Sequence, residues 1–224
     1  MKRNLRYSII LLLIPLSLVL GILLWDNRNY SVLSMMIAFL ACIPFFLTFE
    51  KKAQNSRKLI LIAVMIALSV AGRLVFAALP GFKPVTAVVV ITALYFGAEA
   101  GFLTGSLSAL LSNIFYGQGP WTPFQMFTWG LLGFLAGILA RTLLKSRPLM
   151  LIYGALAGVV FSLMMDIWTV LSFDTSFALD RYLVVVGASL PFMAIYAASN
   201  VVFLLLLAKP IGAKLERIKL KYGL

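Results

Sequence analysis

Residues 58–79 read KLILIAVMIALSVAGRLVFAAL, and this stretch decides the fold. It is an apolar segment with the length that an α-helix needs to cross a bilayer. Ala63, Ala67 and Ala71 recur every fourth residue, so they lie on one helix face and form a flat stripe that another helix can approach closely. Arg73 lies near the far end, where an isolated charge in lipid is costly. The segment therefore predicts a membrane helix with both a docking face and a polar contact.

The composition extends this reading to the whole chain. Of its 224 residues 62% are hydrophobic, and the mean hydropathy is +1.04, which predicts an all-α, polytopic membrane protein. The chain has no His and one Cys, Cys42, which excludes imidazole-based zinc sites and catalytic triads as well as disulfides within the chain. No glycine-rich loop ends in Gly-Lys-Ser/Thr, so ATP binding by a P-loop is excluded too. We expect no enzymatic activity, no catalytic residues, no metal and no cofactor.

Charge clusters and turn residues divide the chain into eight apolar segments. We predict helices over residues 7–25, 30–49, 59–79, 84–96, 101–116, 122–144, 149–173 and 182–208. The first segment is expected to stay in the mature protein, because it is long, lacks a small-residue cleavage site and is followed at once by another apolar segment. The charged segment 50–58, EKKAQNSRK, separates two N-terminal helices with their linker (residues 1–57) from a six-helix core (residues 58–224).

The distribution of Lys and Arg predicts the orientation. With the N-terminus in the cytoplasm, 15 basic residues lie on the inside and only Arg28, Lys83 and Arg181 lie in outside loops. This positive-inside bias puts both termini in the cytoplasm. It also accounts for the net charge of +12 through orientation and contact with anionic lipid headgroups. Nucleic-acid binding is not expected, because the basic residues lie in short loops rather than in a domain.

Residues 84–116 are too few for two full spans, which need about 40 residues. The two helices of this run must be short, tilted or paired as a re-entrant hairpin, and each option keeps the C-terminus inside. Gly97, Gly101 and Gly105 form a second ladder of small residues, which predicts close packing against a neighbouring helix.

Polar side chains from four predicted helices converge at one depth, in the outer half of the bilayer or at its outer rim. They are Arg73, Asn113, Gln118, Gln125 and Asp166. Arg73 and Asp166 are natural partners for an ion pair, because each would otherwise be an isolated charge near hydrocarbon. A structural bridge and a direct contact with a ligand are both open for this pair.

Aromatic residues surround these polar groups, and two stiff loops lie on the same side. Residues 116–123 read YGQGPWTP and residues 79–84 read LPGFKP, with turn-forming Gly and Pro in each. Together they could cover an outward-facing cavity that offers stacking faces and hydrogen-bonding groups. The predicted substrate-binding residues are Arg73, Phe82, Asn113, Gln118, Trp121, Gln125, Trp129, Asp166 and Trp168.

From Lys58 to the C-terminus the chain resembles the substrate-binding S components of energy-coupling factor (ECF) vitamin transporters, which are six-helix membrane proteins with both termini inside. The resemblance rests on the alanine stripe, the turn FKP at residues 82–84 and the turn GAEAG at residues 97–101. The six-helix layout and the missing ATPase add to it.

The resemblance implies that Ala63, Ala67 and Ala71 dock against a transmembrane T component, which two cytoplasmic ATPase subunits drive. It implies a vitamin ligand near the outer face, under the loops at residues 79–84, 116–122 and 172–181. The protein would be a multi-pass subunit of an ABC importer in the cell membrane of a prokaryote, with the lipid bilayer as its surroundings.

The stretch GQGPWTPFQM at residues 117–126 is similar to that of S components associated with cobalamin uptake, so cobalamin or another corrinoid is the expected ligand. A flat heterocyclic vitamin is an open alternative, because a few polar groups do not name the ligand of a mostly apolar pocket. A membrane scaffold without transport function and a self-sufficient carrier are further alternatives. The two N-terminal helices depart from the six-helix pattern, and the sequence assigns them no role.

Overall fold

The structure is a computed structural model, and it describes residues 40, 42–43, 56–173 and 177–223. The predicted N-terminal helices therefore lie outside the described residues, apart from Leu40, Cys42 and Ile43. Seven helices follow from residue 56 onwards. They are α1 (Ser56–Val75), α2 (Val85–Phe96), α3 (Ala98–Tyr116), α4 (Thr122–Ile138), α5 (Ala140–Lys145), α6 (Arg147–Phe173) and α7 (Leu179–Tyr222).

These helices confirm the predicted all-α membrane class. Among the described helices α1, α6 and α7 are long and apolar enough to cross a membrane, and α2 is a shorter apolar helix. Most predicted boundaries lie within four residues of the observed ones, and two differ by more. The segment 122–144 is divided at Leu139 into α4 and the short α5, and the last helix does not end at Ala208. It continues to Tyr222 because its polar extension still packs on the bundle, where Gly212 and Leu215 are buried.

Helix α2 lies at the centre of the bundle. Every residue of this 12-residue helix except Tyr95 is buried. At 1.5 Å per residue the helix is about 18 Å long, well short of a hydrocarbon core of about 30 Å. A helix this short is tolerated because protein rather than lipid surrounds it. The polar backbone groups at its ends therefore do not face hydrocarbon. Of the options left open for residues 84–116, the structure shows a short buried helix followed by a longer one.

Helices α3 and α4 pack through glycines from both sides. A methyl group added at Gly101 would lie 2.5 Å from the carbonyl oxygen of Gly133, and one added at Gly105 would clash with the backbone of Trp129 and Gly130. No side chain larger than hydrogen fits at this distance. The predicted ladder of small residues is thus confirmed at Gly101 and Gly105, whereas Gly97 forms the turn between α2 and α3 with a φ of +93°.

Helix α1 presents two different faces. The face towards α2 and α3 is buried and includes Met65, Ser69 and Arg73. The opposite face is exposed in the described part of the chain. It carries the alanine stripe, Ala63, Ala67 and Ala71. The periodicity of the sequence therefore separates a core side from a free side, as expected for a helix at the edge of a bundle.

Candidate functional site

A small cavity of about 60 Å³ lies between five helices and the turn that joins α1 to α2. Residues from α1, α2, α4, α6 and α7 all reach it, so it exists only in the assembled bundle. Its lining residues are Arg73, Gly81, Lys83, Val85, Thr86, Gln125, Trp129, Phe161, Tyr196 and Asn200. Three of the nine predicted substrate-binding residues, Arg73, Gln125 and Trp129, belong to this lining.

Arg73 is the central charged group of the site, and only 8% of its surface is exposed. Its guanidinium donates hydrogen bonds to Ser112 Oγ and, at 2.8 Å, to Asn113 Oδ1 on α3. It also lies over two aromatic rings, 4.6 Å from the centre of Tyr116 and 5.1 Å from that of Trp129. Among the described residues, cation–π contacts and neutral acceptors stabilise the buried charge, and no carboxylate pairs with it.

Asn113 connects Arg73 to the loop between α3 and α4. It is 1% exposed, and its amide nitrogen donates to Thr122 Oγ1 and to Gln125 Oε1, each at 2.9 Å. The Thr122 hydroxyl in turn donates to Gln118 Oε1 at 3.1 Å. The predicted convergence of Arg73, Asn113, Gln118 and Gln125 is therefore present as one hydrogen-bonded network.

Aromatic rings form one wall of the cavity. Trp129 stacks on Phe161 with ring centres 4.8 Å apart and an interplanar angle of 12°. Tyr196 on α7 meets the edge of Phe161 at 5.1 Å. A wall of this kind offers a flat apolar surface beside the polar groups of Arg73 and Gln125.

The turn at residues 76–84 forms the other wall. Within it, residues 79–82 form a tight turn closed by a hydrogen bond from the Phe82 amide to the Leu79 carbonyl oxygen. Pro80 and Gly81 occupy the two central positions, and the φ of +72° at Gly81 suits glycine in a type II turn. The turn is fastened to α7 because the Lys83 amide donates to Ser199 Oγ at 2.8 Å and the Ser199 hydroxyl donates to the Lys83 carbonyl at 3.1 Å.

Lys83 brings a second positive charge to the cavity. Its ammonium group lies 5.1 Å from the centre of the Tyr116 ring and donates to the carbonyl oxygen of Phe76 at 3.4 Å. Partial burial, together with the positive charge of Arg73, lowers the pKa of Lys83 below its usual value. Two cations on one side of a cavity favour an electron-rich or anionic group of a ligand.

Arg73 and Asp166 do not form the predicted ion pair with each other. Arg73 bonds to α3, whereas Asp166 Oδ2 accepts a hydrogen bond of 2.6 Å from the Ser189 hydroxyl on α7. The prediction paired the two charges by depth alone, but they belong to different helix contacts. Asp166 instead ties α6 to α7.

Four other predicted residues lie away from the cavity lining. Phe82 packs against Phe203 with ring centres 5.1 Å apart, and Trp168 packs against Phe124 at 5.2 Å. Trp121 is 37% exposed in the loop between α3 and α4. Gln118, in the same loop, reaches the site only through the hydrogen-bonded network.

Sequence reasoning missed Lys83, Phe161, Tyr196 and Asn200 as cavity residues. Tyr196 and Asn200 are four residues apart on an otherwise apolar helix, a spacing that could have marked an inward polar face. Lys83 was counted only as an outside charge. Phe161 gives no signal in the sequence, because a single Phe in an apolar helix is usually a packing residue.

The arrangement is suited to binding a small ligand. Within the described residues no group of three or more His, Cys, Asp or Glu could hold a metal ion. A pair of cations, two amides and an aromatic wall converge on the cavity, which is the kind of lining that orients a small ligand.

Comparison with known protein families gives a match over most of the chain. The family model described as the ECF-type riboflavin transporter, S component, matches residues 53–217, which is well over half of the chain. No curated protein and no solved structure gave a match.

Proposed function

Because the chain belongs to the family of ECF-type riboflavin transporter S components, we propose that it binds riboflavin in the cavity beside Arg73 and delivers it inward with a T component. Family membership confirms the predicted S component and, more broadly, a vitamin-binding transporter subunit in a membrane. The family is in general not enzymatic. The predicted cobalamin specificity has no support, whereas the family name points to riboflavin.

The observation that carries the substrate proposal is the pairing of a flat aromatic wall with neighbouring cations and an amide. Riboflavin has a planar ring system with carbonyl oxygens and ring nitrogens along one edge. The aromatic wall of Trp129, Phe161 and Tyr196 would contact the rings. Arg73, Lys83 and Gln125 would bond to that edge. A corrinoid is much bulkier and would need a far wider mouth.

The cavity must widen when a vitamin binds. Its volume of about 60 Å³ is well below the range of roughly 300–1,000 Å³ typical of ligand sites. The wall formed by the turn at residues 76–84 is attached to α7 by few hydrogen bonds, chiefly those between Lys83 and Ser199. We therefore expect this turn to swing outwards and to close over the bound ligand.

The alanine stripe is the proposed docking face for the T component. Ala63, Ala67 and Ala71 are exposed and lie opposite the buried side of α1 that holds Arg73. Small side chains let the backbones of two helices approach closely, which supports a helix-to-helix contact there. Helix α1 would then join the ligand site on one side to the energised partner on the other.

The first experiment compares two tryptophans. Flavin fluorescence is quenched by stacking on an aromatic ring, so titration of the purified chain with riboflavin should give a saturable quench. We expect Trp129→Leu to weaken binding by at least roughly tenfold, from the lost stacking surface. Trp168→Leu is the matched control, because Trp168 is equally buried but packs on Phe124 outside the cavity lining.

Mass spectrometry of the ligand that co-purifies with the chain tests the substrate independently. Riboflavin or another flavin supports the proposal, and a corrinoid would restore the cobalamin prediction. Equal affinities of the Trp129 and Trp168 variants would show that the cavity is not the binding site. A chain without any saturable vitamin binding would favour the scaffold alternative.

The second experiment tests docking. Ala67→Leu should abolish riboflavin uptake in cells that contain the T component and ATPases, and should leave riboflavin binding by the isolated chain intact, because the bulk blocks only helix approach. Ala194→Leu makes the same change on an exposed face of α7 and should leave uptake unchanged. Normal uptake by the Ala67 variant would contradict docking through the stripe.

A further inference from the structure

A second cavity lies at the opposite end of the bundle. It has a volume of about 230 Å³ and is bounded by α2, α5, α6 and α7. Its deep walls are apolar and buried, with Leu94, Leu143, Met150 and Leu204 each at most 7% exposed. The riboflavin proposal uses none of these residues, and we call this cavity the basal crevice.

The rim of the basal crevice carries two exposed basic residues, Arg147 and Lys209. Arg147 is the first residue of α6, and its guanidinium donates to the carbonyl oxygen of Leu205 on α7 at 3.3 Å, so it leans across the mouth. Lys209 directly follows the apolar run of α7. Neither side chain forms an ion pair with a carboxylate of the described residues.

The outer lip of the crevice faces the surroundings of the bundle rather than another helix. Leu144 is 50% exposed and Leu205 is 39% exposed, and both line the opening. An apolar slot that opens sideways, with cations at its polar end, matches a phospholipid in both shape and charge. The slot would take acyl-chain carbons, and the rim would hold the phosphate.

We propose that the basal crevice binds one anionic phospholipid of the cytoplasmic leaflet, with its phosphate between Arg147 and Lys209. On the orientation that the basic residues predict, the rim lies at the depth of the inner headgroups, where anionic lipids and basic pockets between membrane helices meet. The crevice opens sideways to the surroundings of the bundle through Leu144 and Leu205, which favours a lipid over a second vitamin as the occupant. The lipid would brace the inner ends of α2, α6 and α7.

The test is native mass spectrometry of the full chain titrated with phosphatidylglycerol and, separately, with phosphatidylcholine. We expect preferential retention of phosphatidylglycerol by the unaltered chain. The double variant Arg147→Gln/Lys209→Gln should lose roughly tenfold or more of that affinity. The control Lys214→Gln/Arg217→Gln removes the same charge from exposed positions of α7 outside the crevice and should keep it.

Filling the slot tests the acyl-chain part with all charges intact. Ala208→Phe, at the crevice wall, should reduce phosphatidylglycerol retention, whereas Ala213→Phe, an exposed position on the same helix, should not. Equal loss in both charge variants would overturn the proposal in favour of general surface attraction. Full competition by inorganic phosphate would overturn it in favour of a free anion. Both results are independent of riboflavin binding.

Discussion

Helix α3 meets two of its neighbours, α4 and α1, by opposite means. Towards α4 it presents Gly101 and Gly105, which bring the two backbones into direct contact, and we call this contact the glycine seam. Towards α1 it presents Ser112 and Asn113, which accept hydrogen bonds from Arg73. Backbone contact has no alternative arrangement, but a hydrogen bond can be exchanged for one to a ligand. The difference indicates that the contact with α4 is set by close backbone packing, whereas the contact with α1 depends on polar side chains.

Breaking the glycine seam should have the largest effect. In Gly105→Ala the added methyl would clash with the carbonyl group of Trp129, and we expect a loss of about 3 kcal/mol in the free energy of unfolding. Thermal unfolding in detergent measures this loss. The control is Gly187→Ala, where an added methyl meets nothing within 4 Å. Similar melting temperatures for both variants would show that the seam is looser than described.

Breaking the polar contact should cost less in stability and more in binding. Asn113→Leu leaves the Arg73 charge with one acceptor fewer, and we expect it to destabilise the chain by about 2 kcal/mol. Riboflavin titration should show weaker binding as well, because Arg73 and Gln125 both lose the group that positions them. The comparison fails if Asn113→Leu is as destabilising as Gly105→Ala and leaves binding unchanged.

The smallest expected effect is a pH dependence of stability that arises from Lys83 in the turn at residues 76–84. The pKa of Lys83 is lowered because the folded chain disfavours the charged ammonium group. The charge therefore lowers the free energy of unfolding at every pH below the folded-state pKa. Lys83→Gln should therefore be slightly more stable than the unaltered chain at pH 7. This gain should shrink as pH rises through the folded pKa towards the usual value of 10.5. Melting curves between pH 7 and 10 check the sign, and exposed Lys145→Gln is the control.

Much of the architecture was predictable because lipid imposes strong rules on sequence. Long apolar runs, their polar boundaries and the spacing of small residues predicted the membrane helices, the glycine contact and the two faces of α1. Boundaries failed where packing overrides polarity. Helix α7 continues past Ala208 because its extension still packs on Tyr95, where Lys219 donates to the Tyr95 carbonyl oxygen at 3.2 Å.

The depth and the chemistry of the polar groups were predictable, but the residues to which they bond were not. The convergence of Arg73, Asn113 and Gln125 was predictable because polar groups at membrane depth are rare and stand out. The predicted pairing of Arg73 with Asp166 was wrong. Helical spacing gives the side of a helix on which a residue lies, but not the neighbouring helix that it meets. Phe82 and Trp168 were chosen as aromatic residues near the outer surface, and their rings pack against other aromatic residues instead.

The amino-acid sequence by itself determined an all-α membrane protein with polar groups gathered at one depth, because hydropathy and small-residue spacing act locally along each helix. Only the tertiary structure decided that α2 is a buried half-length helix, that Arg73 bonds to α3 while Asp166 bonds to α7, and that Lys83, Phe161 and Tyr196 complete the cavity. These features depend on which helices become neighbours. That choice depends on contacts between residues far apart in the chain, such as Lys83 with Ser199.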